Sequence, residues 1–148
     1  LNYGCSGNRA LQLSRTGRLP GGSPYYAEYC VYVDAPGDYE LWYGGTPPGP
    51  KDELSPSLAS PIALSVDGGP PRGLWREDVN VAELYAPAYY WVRTPAVRLS
   101  SGAHVIRFEV SERRRLDDRF FFYLDAFFLA TPEALSRADR TGYPAFFP

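Results

Sequence analysis

Hydrophobic and polar residues alternate along several short segments of this chain, which is the pattern of half-buried β-strands. In the segment APGDYELWYGG, Tyr39, Leu41 and Tyr43 fall on one face of a strand. Glu40 and Trp42 fall on the other face, where a sandwich strand should contact water. The pattern therefore predicts a strand whose outward face carries a tryptophan that needs an explanation.

The same alternation, divided by frequent Gly and Pro residues, predicts strands at 9–14, 25–34, 38–43, 61–67, 73–82, 88–99, 103–110 and 120–130. One short C-terminal helix is predicted, from Thr131 as N-cap through Ala138. Many short strands with so little helix indicate an all-β fold, an antiparallel β-sandwich or jelly roll. We expect residues 1–130 to form the sandwich, and residues 131–148 to form a helix and an aromatic tail packed on it.

The connections between the predicted strands fall into two classes of length. If successive strands run antiparallel, alternate connections lie at opposite ends of the sandwich. The long connections should then cluster at one end, where loops on a rigid scaffold are typical of a binding site. The short connections are 35–38, 67–71 and 100–102. The long connections are 15–24, 44–60, 83–89 and 111–119.

Charge and cysteine content exclude several classes of function. The formal net charge of −2 argues against nucleic-acid binding, which needs a basic imbalance. No apolar run is long enough to span a membrane, so no membrane partner is expected. Cys5 and Cys30 are too few for a zinc site and form either one disulfide or two thiols. We expect a domain of a longer protein, because the chain starts without methionine and shows no signal-peptide pattern.

The residues that usually support catalysis are sparse. His104, the only histidine, shares a strand face with Ile106 and Phe108 and is predicted at the margin of the core. No nucleophile elbow, phosphate loop or dinucleotide fingerprint occurs. Acidic pairs such as Asp117 and Asp118 lie in turn-rich segments and are typical of solvated loops. The sequence therefore predicts a protein that is not an enzyme.

The aromatic content points to a binding surface. The chain has 12 tyrosines and 3 tryptophans, and Trp42, Trp75 and Trp91 together with the tyrosines cannot all lie in the core. Exposed rings stack on the flat C–H faces of sugars, while charged side chains bind the hydroxyl groups. The candidate carbohydrate-binding residues at the long-loop end are Tyr43, Tyr85, Tyr89, Tyr90, Arg113, Arg115, Asp117 and Asp118.

The order of several segments resembles that of the galactose-binding-like β-sandwich modules, above all the carbohydrate-binding modules of families 6 and 35. The likeness covers about residues 9–130 and lies in DAPGDYELWYGG, SPIALSVDGG, YYWVR, LSSGAHVIRFEV and FYLDAFFLA. The family marks Gly-x-Tyr-x-Leu, Val-Asp-Gly, Gly-x-His and Leu-Asp match residues 37–41, 66–68, 102–104 and 124–125. The resemblance implies a secreted or cell-surface module joined to a bacterial polysaccharide-degrading enzyme.

The resemblance also implies where ligands bind. Members of the family bind sugar in loops at one end, and some also use a concave sheet face. Trp42 would line such a face together with Glu40, Arg107 and Glu109; alternatively, the C-terminal segment TGYPAFFP covers Trp42. Relatives hold a structural calcium with acidic residues of the first strand and the aspartate of the last strand. Asp125 fits the second position, but no acidic residue precedes residue 28.

The sequence thus predicts a non-catalytic carbohydrate-binding module that directs a catalytic domain of the same parent chain to its polysaccharide. Arg113 and Arg115 favour an anionic glycan, because arginine binds carboxylate and sulfate groups well. Two alternatives stay open. One is a structural β-sandwich that packs against a catalytic domain, and the other is a small jelly-roll polysaccharide lyase.

Overall fold

The computed structural model describes residues 10–52, 57–86 and 89–133, and for 82–86 and 89 it describes the backbone only. These parts of the chain form ten β-strands, which confirms the predicted all-β class. The strands are β1 Leu11–Arg15, β2 Tyr25–Val33, β3 Gly37–Gly45, β4 Ile62–Val66, β5 Arg72–Leu74, β6 Asn80–Ala86, β7 Tyr89–Arg93, β8 Val97–Leu99, β9 Gly102–Val110 and β10 Phe120–Ala130.

The described strands make two antiparallel sheets. The six-stranded sheet has the order β1-β10-β3-β7-β6, with β8 paired to the first residues of β3. The four-stranded sheet has the order β2-β9-β4-β5. Every strand pair in the described residues is antiparallel, and neighbours in space are mostly distant in sequence, as in a jelly-roll sandwich.

The core lies between the inward faces of the two sheets and centres on an aromatic cluster. The ring of Phe108 lies 5.7 Å from that of Tyr43, 6.2 Å from Phe122 and 6.1 Å from Phe127, measured between centroids. Alternate residues of β9, including Ile106 and Phe108, are buried, as the period-two pattern predicts. The residues that the alternation assigns to the interior therefore form the core that holds the two sheets together.

Two predicted strands are each divided in the structure. The segment 73–82 contains β5 and β6 with a turn between them, in which the amide of Asp78 donates to the carbonyl of Trp75 (3.0 Å). The segment 88–99 contains β7 and β8, separated around Pro95, which lacks the N–H that a strand ladder needs. The predicted long loop at 83–89 is wrong, because β6 continues to Ala86 and β7 begins at Tyr89.

The glycines that end β3 allow β10 to approach closely. A Cβ atom at Gly45 would collide with the backbone carbonyl of Tyr123. The pairing of β3 with β10 shifts register at this point, between Leu124 and Ala126. Glycine is thus required where the strand ends at the loop-bearing end of the sandwich.

Some predictions fall outside the described residues. The proposed helix from Thr131 through Ala138 and the tail to residue 148 lie largely beyond residue 133, and Cys5 also lies outside. Cys30 is exposed on β2. Its pairing with Cys5 stays a prediction, because Cys5 lies outside the described residues. Among the described residues, no helix has the length and apolar character needed to cross a lipid bilayer.

Candidate functional site

The strand register brings the long connections together at one end of the sandwich. Gly45, at the end of β3, pairs with Leu124 on β10 and with Tyr90 on β7. At the same end, Tyr25 begins β2 opposite Val110, the last residue of β9. The loops that follow β1, β3 and β9 are therefore neighbours, which confirms the predicted clustering for three of the four long connections.

A cleft of about 210 Å³ opens between these loops, and we name it the loop-end cleft. The loop after β3 and the loop before β10 supply most of its lining, and Trp75 enters it from the end of β5. Charged side chains of both signs lie beside one large aromatic ring. The lining residues are Gly49, Pro50, Lys51, Asp52, Ser57, Ala59, Pro61, Trp75, Glu112, Arg113, Arg114 and Arg115.

Trp75 is the aromatic residue of the loop-end cleft, and it is only half-buried. Its indole lies over Gly73, where an added Cβ would be 3.0 Å from Nε1. Trp75 is one of the surplus aromatics of the sequence but is not among the predicted site residues. One signal in the sequence could have identified Trp75 as a cleft residue. It directly follows an apolar β5 residue, Leu74, and precedes charged turn residues.

The wall formed by the loop after β3 is fixed to the turn after β5. The backbone amide of Arg76 donates to the carbonyl of Gly49 (2.9 Å). The amide of Lys51 donates to the carboxylate of Glu77, and its Nζ lies 2.7 Å from Oδ1 of Asp78. Several contacts therefore hold this wall in place beside Trp75.

Arg114 organises the loop before β10. Its guanidinium donates two hydrogen bonds to Asp117 (2.7 and 2.6 Å) and one to the carbonyl of Leu58 (2.6 Å), across the cleft loops. It also lies 3.6 Å from the ring centroid of Phe121. The hydrogen bond from Arg114 holds the pKa of Asp117 below its ordinary value, so this carboxylate stays ionised.

Arg113 joins the same loop to the connection between β1 and β2. It donates to Oδ2 of Asp118 (2.7 Å) and to the carbonyl of Thr16 (2.6 Å). Asp117 and Asp118, both predicted to bind sugar, thus serve as partners of loop arginines. Arg113 and Arg115 both line the loop-end cleft, and Arg115 is the more exposed of the two; their role in sugar binding stays a prediction.

The prediction of an exposed ring at Tyr43 is wrong. Tyr43 is 0 % exposed, because it points inward on β3 and packs on Phe108 and Phe122. Its hydroxyl donates to the carbonyl of Thr46 (3.2 Å), and burial raises its pKa. Alternation along β3 already assigned Tyr43 to the face of Leu41, which is the interior.

The other three candidate tyrosines lie where β6 and β7 meet. Tyr90 is half-buried against the core and lines a second cleft beside the first. Tyr85 lies within β6 and Tyr89 begins β7, but their side chains are outside the described part of the structure. Only Tyr90 can therefore be placed relative to the loops.

Trp42 lies on the outer face of the six-stranded sheet and is 7 % exposed. Its ring stacks on Phe128 with centroids 5.9 Å apart and an interplanar angle of 12°. Arg93 lies over the same ring at 5.8 Å and forms a bidentate ion pair with Glu40. Trp91, also buried, contacts Phe128 edge-on. Trp42 is thus not open to a ligand in the structure.

The predicted concave-face group does not assemble. Glu40 and Trp42 face outward on β3 of one sheet, whereas Arg107 and Glu109 face outward on β9 of the other. The two pairs lie on opposite sides of the sandwich, because Ile106 and the other alternate residues of β9 point into the core. The alternative that the C-terminal segment covers Trp42 involves residues outside the described part.

His104 has a structural environment at the opposite, short-turn end. Its Nδ1 lies 2.7 Å from Oδ2 of Asp67, and its Nε2 lies 2.8 Å from the carbonyl oxygen of Ser100. Both ring nitrogens thus face acceptors, and the hydrogen bond with Asp67 is the main reason that the pKa of His104 is raised. Asp67 and Gly68 both have positive φ in the turn that Val66 closes, which explains the Val-Asp-Gly motif.

The predicted calcium ligand, Asp125, lies on β10. Within residues 10–52, 57–86 and 89–133, no group of three or more His, Cys, Asp and Glu side chains could hold a metal ion. Calcium binding at Asp125 therefore stays a prediction.

The solved structures that are similar to this chain include two family 35 carbohydrate-binding modules. A family 35 carbohydrate-binding module from Clostridium thermocellum is 19 % identical, with a TM-score of 0.44, over 84 % of this chain and 71 % of that one. A family 35 module from Cellvibrio japonicus Abf62 is 13 % identical, with a TM-score of 0.44, over 83 % of this chain and 94 % of that one. No family model and no curated protein matches the chain. Both modules belong to family 35, one of the two families that the sequence resembles.

Proposed function

We propose that this protein is a carbohydrate-binding module whose ligand occupies the loop-end cleft. The observation that supports this proposal is the half-exposed ring of Trp75 in a cleft whose lining carries both carboxylates and cationic side chains. Sugars present flat C–H faces and a rim of hydroxyl groups, and this combination of side chains complements both. No reaction step is required of any residue.

In the proposed complex each type of side chain has a separate task. The ring of Trp75 stacks on one face of a sugar unit, since the aromatic surface buries C–H groups without losing hydrogen bonds. Arg115 and Lys51 donate to sugar oxygens, while Asp52 and Glu112 accept from sugar hydroxyls. The arginines 113 and 114 keep the loop in position through their aspartate partners.

The finer proposal is that the glycan is anionic and that the module directs an attached, secreted or cell-surface enzyme to it. The cleft lining contains four basic and two acidic side chains. Arg113 and Arg114 are partly buried, whereas Arg115 is exposed, so Arg115 is the arginine whose removal tests the idea. Linkage to a catalytic domain would raise the effective affinity of a weak binder.

The experiment is affinity gel electrophoresis against neutral, uronate and sulfated polysaccharides, with calcium and with chelator. We expect at least one polymer to retard the protein and to remain undegraded. Trp75→Ala should abolish the retardation, since stacking is lost, whereas Tyr32→Ala should not. Tyr32 is the matched aromatic control, because it is 75 % exposed and lies on β2 away from the loops.

Other results would contradict parts of this proposal. Equal retardation of the wild type and the Trp75→Ala variant would remove the loop-end cleft as the site. Degradation of the polymer would favour the lyase, and no retardation by any polymer would favour the structural sandwich. If Arg115→Ala leaves the affinity and its salt dependence unchanged, the glycan is not recognised through its charge.

A further inference from the structure

A second cleft adjoins the loop-end cleft and shares part of its lining. It has a volume of about 330 Å³, and both clefts include Gly49, Pro50 and Ser57. The loop after β3 therefore forms a common wall, with Trp75 on one side and Tyr90 on the other. A ligand long enough to cross this wall could contact both clefts at once.

Gly49, at the centre of the shared wall, is held by contacts on both sides. Gly49 has no side chain, and a Cβ at this position would collide with the hydroxyl of Ser57. The carbonyl of Gly49 accepts from the amide of Arg76, and Pro48 and Pro50 restrict the backbone on either side. The wall is thus preorganised, and binding across it would cost little conformational entropy.

The second cleft carries the two kinds of group that a sugar unit needs. Leu58 is 56 % exposed and provides apolar surface for C–H groups. Arg76 is exposed, and only its backbone contributes to the hydrogen bonds that hold the turn. Tyr90 forms the partly buried inner side of the cleft.

We propose that the second cleft is a subsite for a further unit of the same glycan, so that the protein binds extended stretches of polysaccharide rather than a single sugar. This inference rests on the proposed function of the loop-end cleft. The residues that determine the required chain length are Leu58 and Arg76. The ligand class is an oligosaccharide or polysaccharide of several units.

Isothermal titration calorimetry with xylo-, manno- and galacturono-oligosaccharides of one to six units tests the proposal. For the series that binds, we expect affinity to rise by about tenfold or more between the single sugar and the hexamer. Arg76→Ala should reduce hexamer affinity about fivefold, as expected for one net hydrogen bond, and Leu58→Ser should reduce it similarly. Neither substitution should change the affinity for the single sugar. Neither should change the affinity for the shortest oligosaccharide that binds at Trp75.

Arg98→Ala and Leu11→Ser are matched controls, since both residues are exposed and lie outside the two clefts. They should leave hexamer affinity unchanged. Affinity that does not rise with length, or an equal loss in the control variants, would overturn the second subsite while leaving the loop-end cleft intact. Binding that survives Trp75→Ala but is lost in Arg76→Ala would instead place the main site in the second cleft. An absence of binding in every series would contradict the proposed function and this inference together.

Discussion

The two outward faces of the sandwich carry similar residues in very different surroundings. On the six-stranded sheet, Glu40 pairs with Arg93 beside the ring of Trp42. On the four-stranded sheet, Arg107 pairs with Glu28 and Glu109 and lies 3.9 Å from the ring centroid of Tyr26. Trp42 is 7 % exposed and Tyr26 is 58 % exposed, although each is an outward residue of its strand with an arginine over its ring.

The two faces differ in how exposed the aromatic ring and the carboxylate are, more than in how exposed the arginine is. The side chain of Glu40 is 9 % exposed against 47 % for Glu28, whereas that of Arg93, at 40 %, is more exposed than that of Arg107, at 27 %. A buried carboxylate depends on its partner, because desolvation disfavours its charge, while an exposed one has water as an alternative. The Arg93–Glu40 and Arg107–Glu28 ion pairs should therefore contribute unequally to the free energy of unfolding.

The largest expected effect is the loss of the buried ring. Trp42→Ala should lower the free energy of unfolding by about 3–5 kcal/mol, since it removes the contacts with Phe128 and Arg93 and leaves a cavity. Tyr26→Ala, the matched change on the exposed face, should cost less than about 1 kcal/mol. Urea denaturation of both variants provides the comparison, and equal losses would show that the two faces do not differ energetically.

A smaller contrast is expected for the arginines. Arg93→Met should cost about 3 kcal/mol, because Glu40 is left buried without its bidentate partner. Arg107→Met should cost less than Arg93→Met, about 1 kcal/mol, since one of its two partners, Glu28, is 47 % exposed, although the other, Glu109, is 14 % exposed. Repeating the denaturation at about 1 M salt should reduce the effect of the second change more than that of the first. A larger loss for Arg107→Met would reverse the comparison.

The smallest expected effect is a pH dependence of stability, which arises from His104 and Asp67 rather than from either outward face. His104 is the only histidine and lies on the inward side of β9, and its pKa is raised chiefly by the hydrogen bond to Asp67. Its stabilising contribution is complete below the ordinary histidine value of 6.5 and is lost as the pH rises through the raised pKa. The pKa of Asp67 is lowered by the same bond, so its contribution is lost as the pH falls through that lowered value.

Thermal unfolding of the wild type between about pH 5 and 9 measures this dependence. Asp67→Asn is the suitable variant, since asparagine tolerates the positive φ of this position. It should flatten the profile in this range, whereas Arg93→Met should shift the profile without flattening it there. A wild-type profile without slope in this range would show that His104 does not stabilise the fold through its charge.

The sequence predicted most of the strands, the antiparallel class and the end at which three of the long loops meet. These features depend on local periodicity and on loop length, which are written directly in the chain. It predicted poorly which residues line the loop-end cleft. Tyr43 is in the core and Asp117 and Asp118 bind loop arginines, while Trp75 and Lys51 line the loop-end cleft.

The amino-acid sequence by itself determined that Trp42 lies on the outward side of β3, because side chains alternate across a strand whatever surrounds it. Only the tertiary structure decided that this outward side is buried and that the equivalent side of β2 is not. Burial depends on which groups pack against a face, and those groups are distant in sequence. The same holds for the loop-end cleft, whose residues come together only through the pairing of the strands.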